Sequence, residues 1–327
     1  MKIFCVSEAM SLENPINYTL IMHVITCFEV PINLFGVFCI LFKTPRKMES
    51  VKWPILIMQL ISSINDFLIS FITIPYVYFP VLAGLPLGAI NAPILEIYGL
   101  ISLLGGTGAG IVSIFENRYH ILFGKGNTLW GLIRKPYLAI NFVMTPICLV
   151  PIFLTIPEQN QALSSIHEIM SCAPELPSTS RSLTVFKLDG TRFFTVIFIL
   201  TMILTTEAIT FGIIVIVKMI RQDKKKLIVS RHTLDLQRKL VVALILQTIF
   251  PIIVLLLPIF YIIISVISGY HNQSANNLVF CIFAVHGFLS TLIMILVHSP
   301  YRKVTLYPFY QLRAVREPPS TIAHVQF

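Results

Sequence analysis

Seven long apolar stretches divide this chain, and they constrain its fold more than any other feature of the sequence. A helix that crosses the hydrocarbon core of a bilayer needs about 20 mostly apolar residues. Each stretch reaches that length, and most of the charged residues lie between the stretches. The sequence therefore predicts an all-α membrane protein, a bundle of seven transmembrane helices between two tails. We place the tails at residues 1–17 and 299–327 and the spans at residues 18–42, 51–75, 93–116, 137–157, 193–217, 240–266 and 277–298.

The composition excludes the other broad classes. Hydrophobic residues make up 56% of the chain and charged residues only 12%, whereas a soluble domain carries about 25% charged residues. A transmembrane β-barrel shows segments of about 10 residues that alternate between polar and apolar, but residues 252–267 are apolar almost throughout. The lipid bilayer is therefore the first partner that the sequence predicts.

The distribution of lysine and arginine predicts the orientation of the bundle. Cytosolic loops carry an excess of these residues, and alternate loops and tails of this chain hold 20 of the 24 on one side and 4 on the other. This asymmetry puts the amino terminus outside the cell and the carboxyl terminus in the cytosol. The net charge of +9 thus reflects topology, and we expect no nucleic-acid partner.

The external side carries candidate sites of covalent modification. Two glycosylation sequons begin at Asn17 and Asn272, although both lie close to the membrane. Cys5 and Cys172 lie on the same side and are candidates for a disulfide bond. Sequence alone does not establish whether their geometry permits one.

The cytosolic end of the third span reads Glu116-Asn117-Arg118-Tyr119. With seven spans and an external amino terminus, this motif resembles that of rhodopsin-like G-protein-coupled receptors, with one residue inserted between the acid and the arginine. In those receptors the acid restrains the arginine until activation. An acid and a base two residues apart do not face each other on a helix, so we expect each to engage a different neighbour. The alternative is that both are ordinary interfacial charges at a helix end.

Further motifs make the resemblance more specific. Residues 298–303 read His-Ser-Pro-Tyr-Arg-Lys. The sixth span contains Gln247, Pro251 and the Pro-Ile-Phe of residues 258–260, and the Gln-Arg-Lys of residues 237–239 precedes it. In this order and spacing they resemble the nematode chemoreceptors called serpentine receptors of class H. The chain departs from rhodopsin-like receptors, since it lacks both a cysteine at the external start of span three and an Asn-Pro-x-x-Tyr in span seven.

This resemblance implies a chemosensory receptor in the plasma membrane of a sensory cilium. It implies a small-molecule ligand, such as an odorant, bound within the helices, and a heterotrimeric G protein as the cytosolic partner. The residues implied in coupling are Glu116, Asn117, Arg118, Tyr119, Arg238 and Lys239.

Four ionisable residues fall inside the predicted spans, where such side chains usually face the bundle interior. At 1.5 Å per residue, Glu29, Asp66 and His286 lie at nearly the same depth in the outer half, whereas Glu207 lies deeper. If spans one, two and seven are neighbours, we expect a polar cluster there. These residues either hold the bundle together through interhelical hydrogen bonds or contact the ligand, and the sequence does not distinguish the two roles.

The glycine run at residues 105–110 superficially resembles a phosphate-binding loop, but such a loop follows a strand. Here the run lies inside the third span. Gly106 and Gly110 form a small-xxx-small face, which predicts a close approach between two helices.

Catalysis is not predicted. The eight histidines are scattered without an H-x-x-x-H motif, and no nucleophile is paired with a base. We therefore expect no enzyme activity, no metal site and no cofactor. The alternative function is a seven-helix transporter or channel, since intramembrane acids and prolines also line substrate pathways. The absence of an internal repeat argues against a transporter.

Overall fold

The computed structural model describes residues 4–5, 12–124, 128–169, 183–187, 190–224 and 231–306, and these fold mainly into helices. The helices are α1 (Pro15–Lys43), α2 (Glu49–Phe67), α3 (Pro93–Tyr119), α4 (Thr128–Phe153), α5 (Gln159–Ile169), α6 (Thr191–Lys224), α7 (Arg231–Ser268) and α8 (Gln273–Val297). The strands are β1 (Phe4–Cys5), β2 (Pro75–Val77), β3 (Leu82–Pro86), β4 (Thr184–Lys187) and β5 (Tyr270–His271).

Within the described chain, six helical segments are long and apolar enough to cross a membrane. They are Pro15–Lys43, Glu49–Thr73, Pro93–Leu122, Leu129–Phe153, Thr191–Lys218 and Gln273–Val297. A shorter apolar segment, Ile252–Ser268, belongs to α7. The second segment is longer than α2 because the helix continues through a π-helical turn at Leu68–Thr73. The architecture is thus the all-α bundle of seven long helices that the sequence predicts, with α5 as a short additional helix.

Local capping explains where the first and last helices of the bundle begin. The Asn14 side chain accepts a hydrogen bond from the Ile16 amide at 2.9 Å, and Pro15 occupies the first helical position, where its missing N–H is not needed. The Asn272 side chain accepts from the Ala275 amide at 2.9 Å and caps α8 in the same way. Both caps lie at the same end of the bundle, which we call the amino-terminal end.

The centre of the bundle is α3, which packs against α2, α4 and α6. A Cβ atom placed on Gly110 would lie 3.0 Å from Met58 Cβ, and one on Gly106 would lie 3.3 Å from Ile61 Cγ2. Both contacts are to α2, so the glycine face of α3 lies directly against that helix. The close helix approach predicted from the two glycines is confirmed.

A small antiparallel sheet covers the amino-terminal end, in the order β2-β3-β4. Tyr76 pairs with Leu85, and Ala83 pairs with Val185. Every residue of β2 and β3 is buried. The sheet therefore closes the bundle instead of projecting from it.

Candidate functional site

Two adjoining cavities lie inside the bundle. The outer cavity, of about 90 Å³, lies under the sheet between α3, α6, α7 and α8. The inner cavity, of about 80 Å³, lies deeper and is also bounded by α4. Both are lined by Ile101, Leu104, Ile197 and Ile259. Because they share these four side chains, the cavities adjoin, and we refer to the two together as one apolar space.

The lining of this space is almost entirely aliphatic and aromatic. None of the described residues that line either cavity is an aspartate, glutamate, lysine, arginine or histidine. Three threonines of the inner cavity, Thr145, Thr201 and Thr205, supply its side-chain hydroxyl groups. Apolar pockets with a few polar groups are typical of small-molecule sites. An engineered cavity of ~150 Å³ lined by leucine, isoleucine and phenylalanine binds benzene in another protein, so the scale suits a small organic molecule.

The cover over the outer cavity is held in place by buried polar contacts. His271 Nδ1 lies 2.5 Å from the Phe79 carbonyl oxygen, and the Tyr76 hydroxyl donates to the Glu13 carbonyl oxygen at 2.8 Å. Burial lowers the pKa of His271 below its usual value and raises the pKa of Tyr76 to about 12. Both side chains are therefore neutral near pH 7, which suits the apolar surroundings of Phe79 at the cavity roof.

A buried polar cluster joins α1, α2 and α8 beside the cavities. Asp66 Oδ1 lies 3.0 Å from His286 Nδ1, and both side chains are fully buried. The Phe288 amide donates to Asp66 Oδ2 at 2.9 Å, and Ser62 Oγ lies 3.2 Å from His286 Nε2. Asp66 and His286, which the sequence placed at similar depth, therefore contact each other directly.

The cluster extends to both sides of this pair. Glu29 accepts a hydrogen bond from Ser70 Oγ at 2.5 Å. Asn33 Oδ1 accepts from Thr291 Oγ1 at 2.7 Å, and Gln59 Nε2 donates to the same threonine oxygen at 2.6 Å. We call this network, with Asp66, His286 and Ser62, the α1/α2/α8 cluster.

Sequence reasoning missed several members of the α1/α2/α8 cluster. Gln59, Ser62 and Ser70 were not identified, although with Asp66 they follow one another at spacings of three or four residues along the helical segment Glu49–Thr73. Residues at these spacings share one face of a helix, so a polar stripe on an otherwise apolar span was the available signal. Thr291, one turn after Gly287 on α8, carried no such signal.

Glu207 lies apart from the other intramembrane acids. Its Oε2 accepts hydrogen bonds from the Tyr137 hydroxyl at 2.5 Å and from Asn141 Nδ2 at 2.7 Å, both on α4. None of the four ionisable residues singled out in the spans is among the lining residues of the two cavities. The structure therefore puts these side chains in contacts between helices.

At the opposite end of the bundle, the acid of the third-span motif is paired with another helix. Glu116 Oε2 lies 2.8 Å from Arg134 Nη2, and Trp130 Nε1 donates to Glu116 Oε1 at 2.9 Å. Asn117 Nδ2 donates to the Ser50 carbonyl oxygen at 2.7 Å. The first two residues of the motif thus join α3 to α4 and to the start of α2.

Arg118 and Tyr119 have different surroundings. Arg118 is buried, and its Nε and Nη2 atoms have no hydrogen-bond partner among the described residues. The Tyr119 ring packs against that of Phe211 on α6, with 5.8 Å between the ring centroids. The acid and the arginine of the motif therefore do not pair with each other. The side chains of Arg238 and Lys239 lie outside the described part of the structure.

The predicted modification sites differ in their surroundings. Asn17 is exposed in the first turn of α1. Asn272 is buried, with 5% of its surface exposed, and its side chain caps α8. A glycan would be attached to Asn272 Nδ2, which donates to the Tyr270 hydroxyl at 3.4 Å, and would have to displace the residues that bury this side chain. Cys172 and the side chain of Cys5 lie outside the described residues.

Comparison with known proteins places these features in a family. Residues 13–311 match the family model of the serpentine seven-transmembrane GPCR chemoreceptors called Srh. A relative from Caenorhabditis elegans, serpentine receptor class H-72, is 28% identical over 300 residues, which cover 86% of this chain and 82% of that protein. The membrane helices agree with this assignment, and the family is one of receptors and not of enzymes. The chain therefore belongs to the Srh family of serpentine chemoreceptors.

Proposed function

We propose that this protein binds a small chemical cue within its helix bundle and activates a heterotrimeric G protein in response. The observation that carries the proposal is the apolar space formed by the two partly open cavities between α3, α4, α6, α7 and α8, under the β2-β3-β4 sheet. A cavity of this kind, buried at the centre of a bundle, is a default site for a small ligand.

Helix α3 connects the proposed ligand site to the proposed coupling site. Leu104 lines both cavities, and Arg118 lies fourteen residues further along the same helix. At 1.5 Å per residue the two are about 21 Å apart along the axis. A ligand shifts such a receptor only through a difference in affinity between its two states. We infer that the ligand favours a packing of α3 against α6 and α7 that opens the opposite end.

The coupling surface is proposed to lie at the end of α3. Arg118 is buried, and two of its nitrogens have no partner within the described part of the chain, so it is available to donate hydrogen bonds once the end of the bundle opens. Glu116 is held by Arg134, and we propose that this pair, and not a Glu116–Arg118 pair, restrains the inactive state. Arg238 and Lys239, in the second and third turns of α7, are proposed to contribute to the same surface.

The proposed setting follows from the charge distribution and the family. The amino terminus, the sheet and Asn17 face the outside of the cell, and the basic loops face the cytosol. The receptor is proposed to reside in the plasma membrane of a sensory cilium. The α1/α2/α8 cluster is proposed to hold the helices together without contacting the ligand.

A cell-based assay tests the proposal. The receptor is expressed with a promiscuous Gα subunit, and second-messenger responses to a panel of volatile and water-soluble compounds are recorded. Arg118→Ala is expected to abolish the response at unchanged surface expression. Leu104→Phe puts a larger side chain into the lining of both cavities and is expected to weaken the response. Leu257→Phe, exposed on the outer surface of α7, serves as the matched control.

The outcomes separate the candidate functions. A response that survives Arg118→Ala contradicts the proposed coupling site. Equal effects of Leu104→Phe and Leu257→Phe contradict the proposed ligand site. Compound-dependent current or uptake without any second messenger supports a transporter or channel instead.

A further inference from the structure

The inner cavity contains one buried hydroxyl group that the protein itself leaves unsatisfied. Thr145 is buried, and its Oγ1 has no hydrogen-bond partner among the described residues. Several other threonines of the helices bond to their own backbone. Thr201, in the same cavity, donates to the Ile197 carbonyl oxygen at 2.8 Å, and Thr107 donates to that of Leu103 at 3.1 Å. A buried hydroxyl without a partner is unfavourable, so Thr145 is a polar group of this cavity that remains available to a ligand.

The glycine opposite Thr145 determines where this hydroxyl lies. A Cβ atom on Gly105 would overlap Thr145 Oγ1, and both residues line the inner cavity. The absence of a side chain at Gly105 thus lets the hydroxyl sit against the backbone of α3 at the cavity wall. The neighbouring Tyr98 hydroxyl donates to the Pro146 carbonyl oxygen at 3.1 Å, which fixes α4 against α3 at this level.

The remaining lining determines what else a ligand can carry. Beyond the threonines, the inner cavity is lined by aliphatic side chains and two glycines, and the outer cavity by aliphatic and aromatic ones. No described lining residue offers a charge to a charged ligand group, which would lose its hydration without compensation. The outer cavity is best filled by hydrocarbon.

We propose that the receptor binds neutral, mostly apolar molecules that carry one hydrogen-bonding oxygen, such as a ketone, an aldehyde or an alcohol. The oxygen pairs with Thr145 Oγ1 in the inner cavity, and the hydrocarbon part extends past Leu104 into the outer cavity. A threonine hydroxyl both donates and accepts, so carbonyl and hydroxyl compounds are both suited. This inference rests on the proposed function only in taking the two cavities as the ligand site.

Direct binding to the purified full-length receptor tests this inference. The probes are hexan-2-one, hexan-1-ol and hexanoate, titrated against receptor in lipid nanodiscs and followed by ligand-detected NMR, with empty nanodiscs as the baseline for partition into lipid. Thr145→Val keeps the side-chain shape and removes the hydroxyl. Loss of one hydrogen bond is expected to weaken the binding of hexan-2-one and hexan-1-ol about tenfold. Thr210→Val, on α6 and outside both cavities, is the matched control and is expected to leave both affinities unchanged, because that hydroxyl lines neither cavity and donates to the Thr206 carbonyl oxygen at 2.7 Å.

The inference is supported if the neutral probes bind, Thr145→Val alone weakens them, and hexanoate does not compete. It is overturned if neither neutral probe binds at aqueous saturation, if Thr145→Val binds them as tightly as the wild type, or if hexanoate binds equally well. Binding with the expected pattern but without any second-messenger response would refute the proposed function and leave this inference intact. Signalling to a charged compound would refute this inference alone.

Discussion

Replacing His286 with phenylalanine tests the role of the α1/α2/α8 cluster. Asp66 and His286 are both fully buried and lie 3.0 Å apart. His286→Phe keeps a ring of similar size but leaves the Asp66 carboxyl without its histidine partner. Breaking a buried pair by removing one member typically destabilises a protein by about 3–5 kcal/mol, because the other member stays buried and uncompensated.

The remaining contacts of Asp66 indicate a loss of stability at the lower end of that range. The amides of Gly287 and Phe288 still donate to Asp66, at 3.3 Å and 2.9 Å. We therefore expect a loss of about 3 kcal/mol. Large domains lose about 2–4 °C in Tm per kcal/mol, so the expected decrease is about 6–12 °C.

Thermal unfolding in detergent, followed with a thiol-reactive dye, measures this decrease. Cys39 is fully buried and becomes reactive only on unfolding, whereas Cys27 and Cys148 are exposed and supply a constant background. His23→Phe is the matched control, since His23 is exposed on α1 and its loss is expected to change stability by at most about 0.5 kcal/mol.

A double variant separates the pairing from simple packing. If the unpaired carboxyl causes the loss, His286→Phe combined with Asp66→Leu is expected to be more stable than His286→Phe alone. The reasoning is refuted if His286→Phe unfolds at the wild-type temperature or no earlier than His23→Phe. It is also refuted if Asp66→Leu destabilises the His286→Phe variant as much as it destabilises the wild type.

Two further predictions concern the sheet-covered end and the helix contacts. His271 has a pKa lowered by burial, so it stabilises the fold above its unfolded pKa of about 6.5 and this stability is lost as the pH falls below that value. His271→Asn keeps a donor but does not titrate, and the Tm difference between pH 7.5 and pH 5.5 is expected to be smaller for this variant than for the wild type. Gly110→Ala puts a Cβ atom 3.0 Å from Met58 Cβ and is expected to lose about 1–3 kcal/mol through overpacking, whereas Gly131→Ala, which meets nothing within 4 Å, is expected to lose no stability. Equal pH dependence in the first case, or equal stability of the two alanine variants, would contradict these expectations.

The sequence was informative where a property depends on local composition. A helix such as α1 faces lipid over much of its surface, with Leu20, Leu34 and Phe42 exposed, and a run of apolar residues is therefore sufficient to identify it. The same run does not reveal where a helix ends in detail. The second span was placed at residues 51–75, whereas in the structure it begins at Glu49 and ends through a π-helical turn at Thr73.

Side-chain contacts between helices were harder to predict from the sequence than the helices themselves. Depth alone brought Glu29, Asp66 and His286 to one level, but it did not identify Ser70 as the donor to Glu29. The partner of Glu116 is Arg134, which lies on the next helix across residues 125–127. Neither the rotation of a helix about its axis nor the identity of its neighbours follows from its hydrophobicity, so these contacts appeared only in the folded bundle.

The sequence by itself determined the environment of this protein, the number of its spans, the expected orientation and the resemblance that led to its family. These follow from the transfer of apolar residues into lipid, from the excess of positive charge in alternate loops and from short motifs, all of which are properties of the chain in one dimension. Only the tertiary structure decided that the intramembrane acids bond between helices and that the cavities are lined by apolar residues. It also decided that, among the described residues, the Thr145 hydroxyl has no hydrogen-bond partner. The physical reason is that such contacts require particular faces of distant helices to meet within about 3 Å, and that meeting is decided by the packing of the whole bundle.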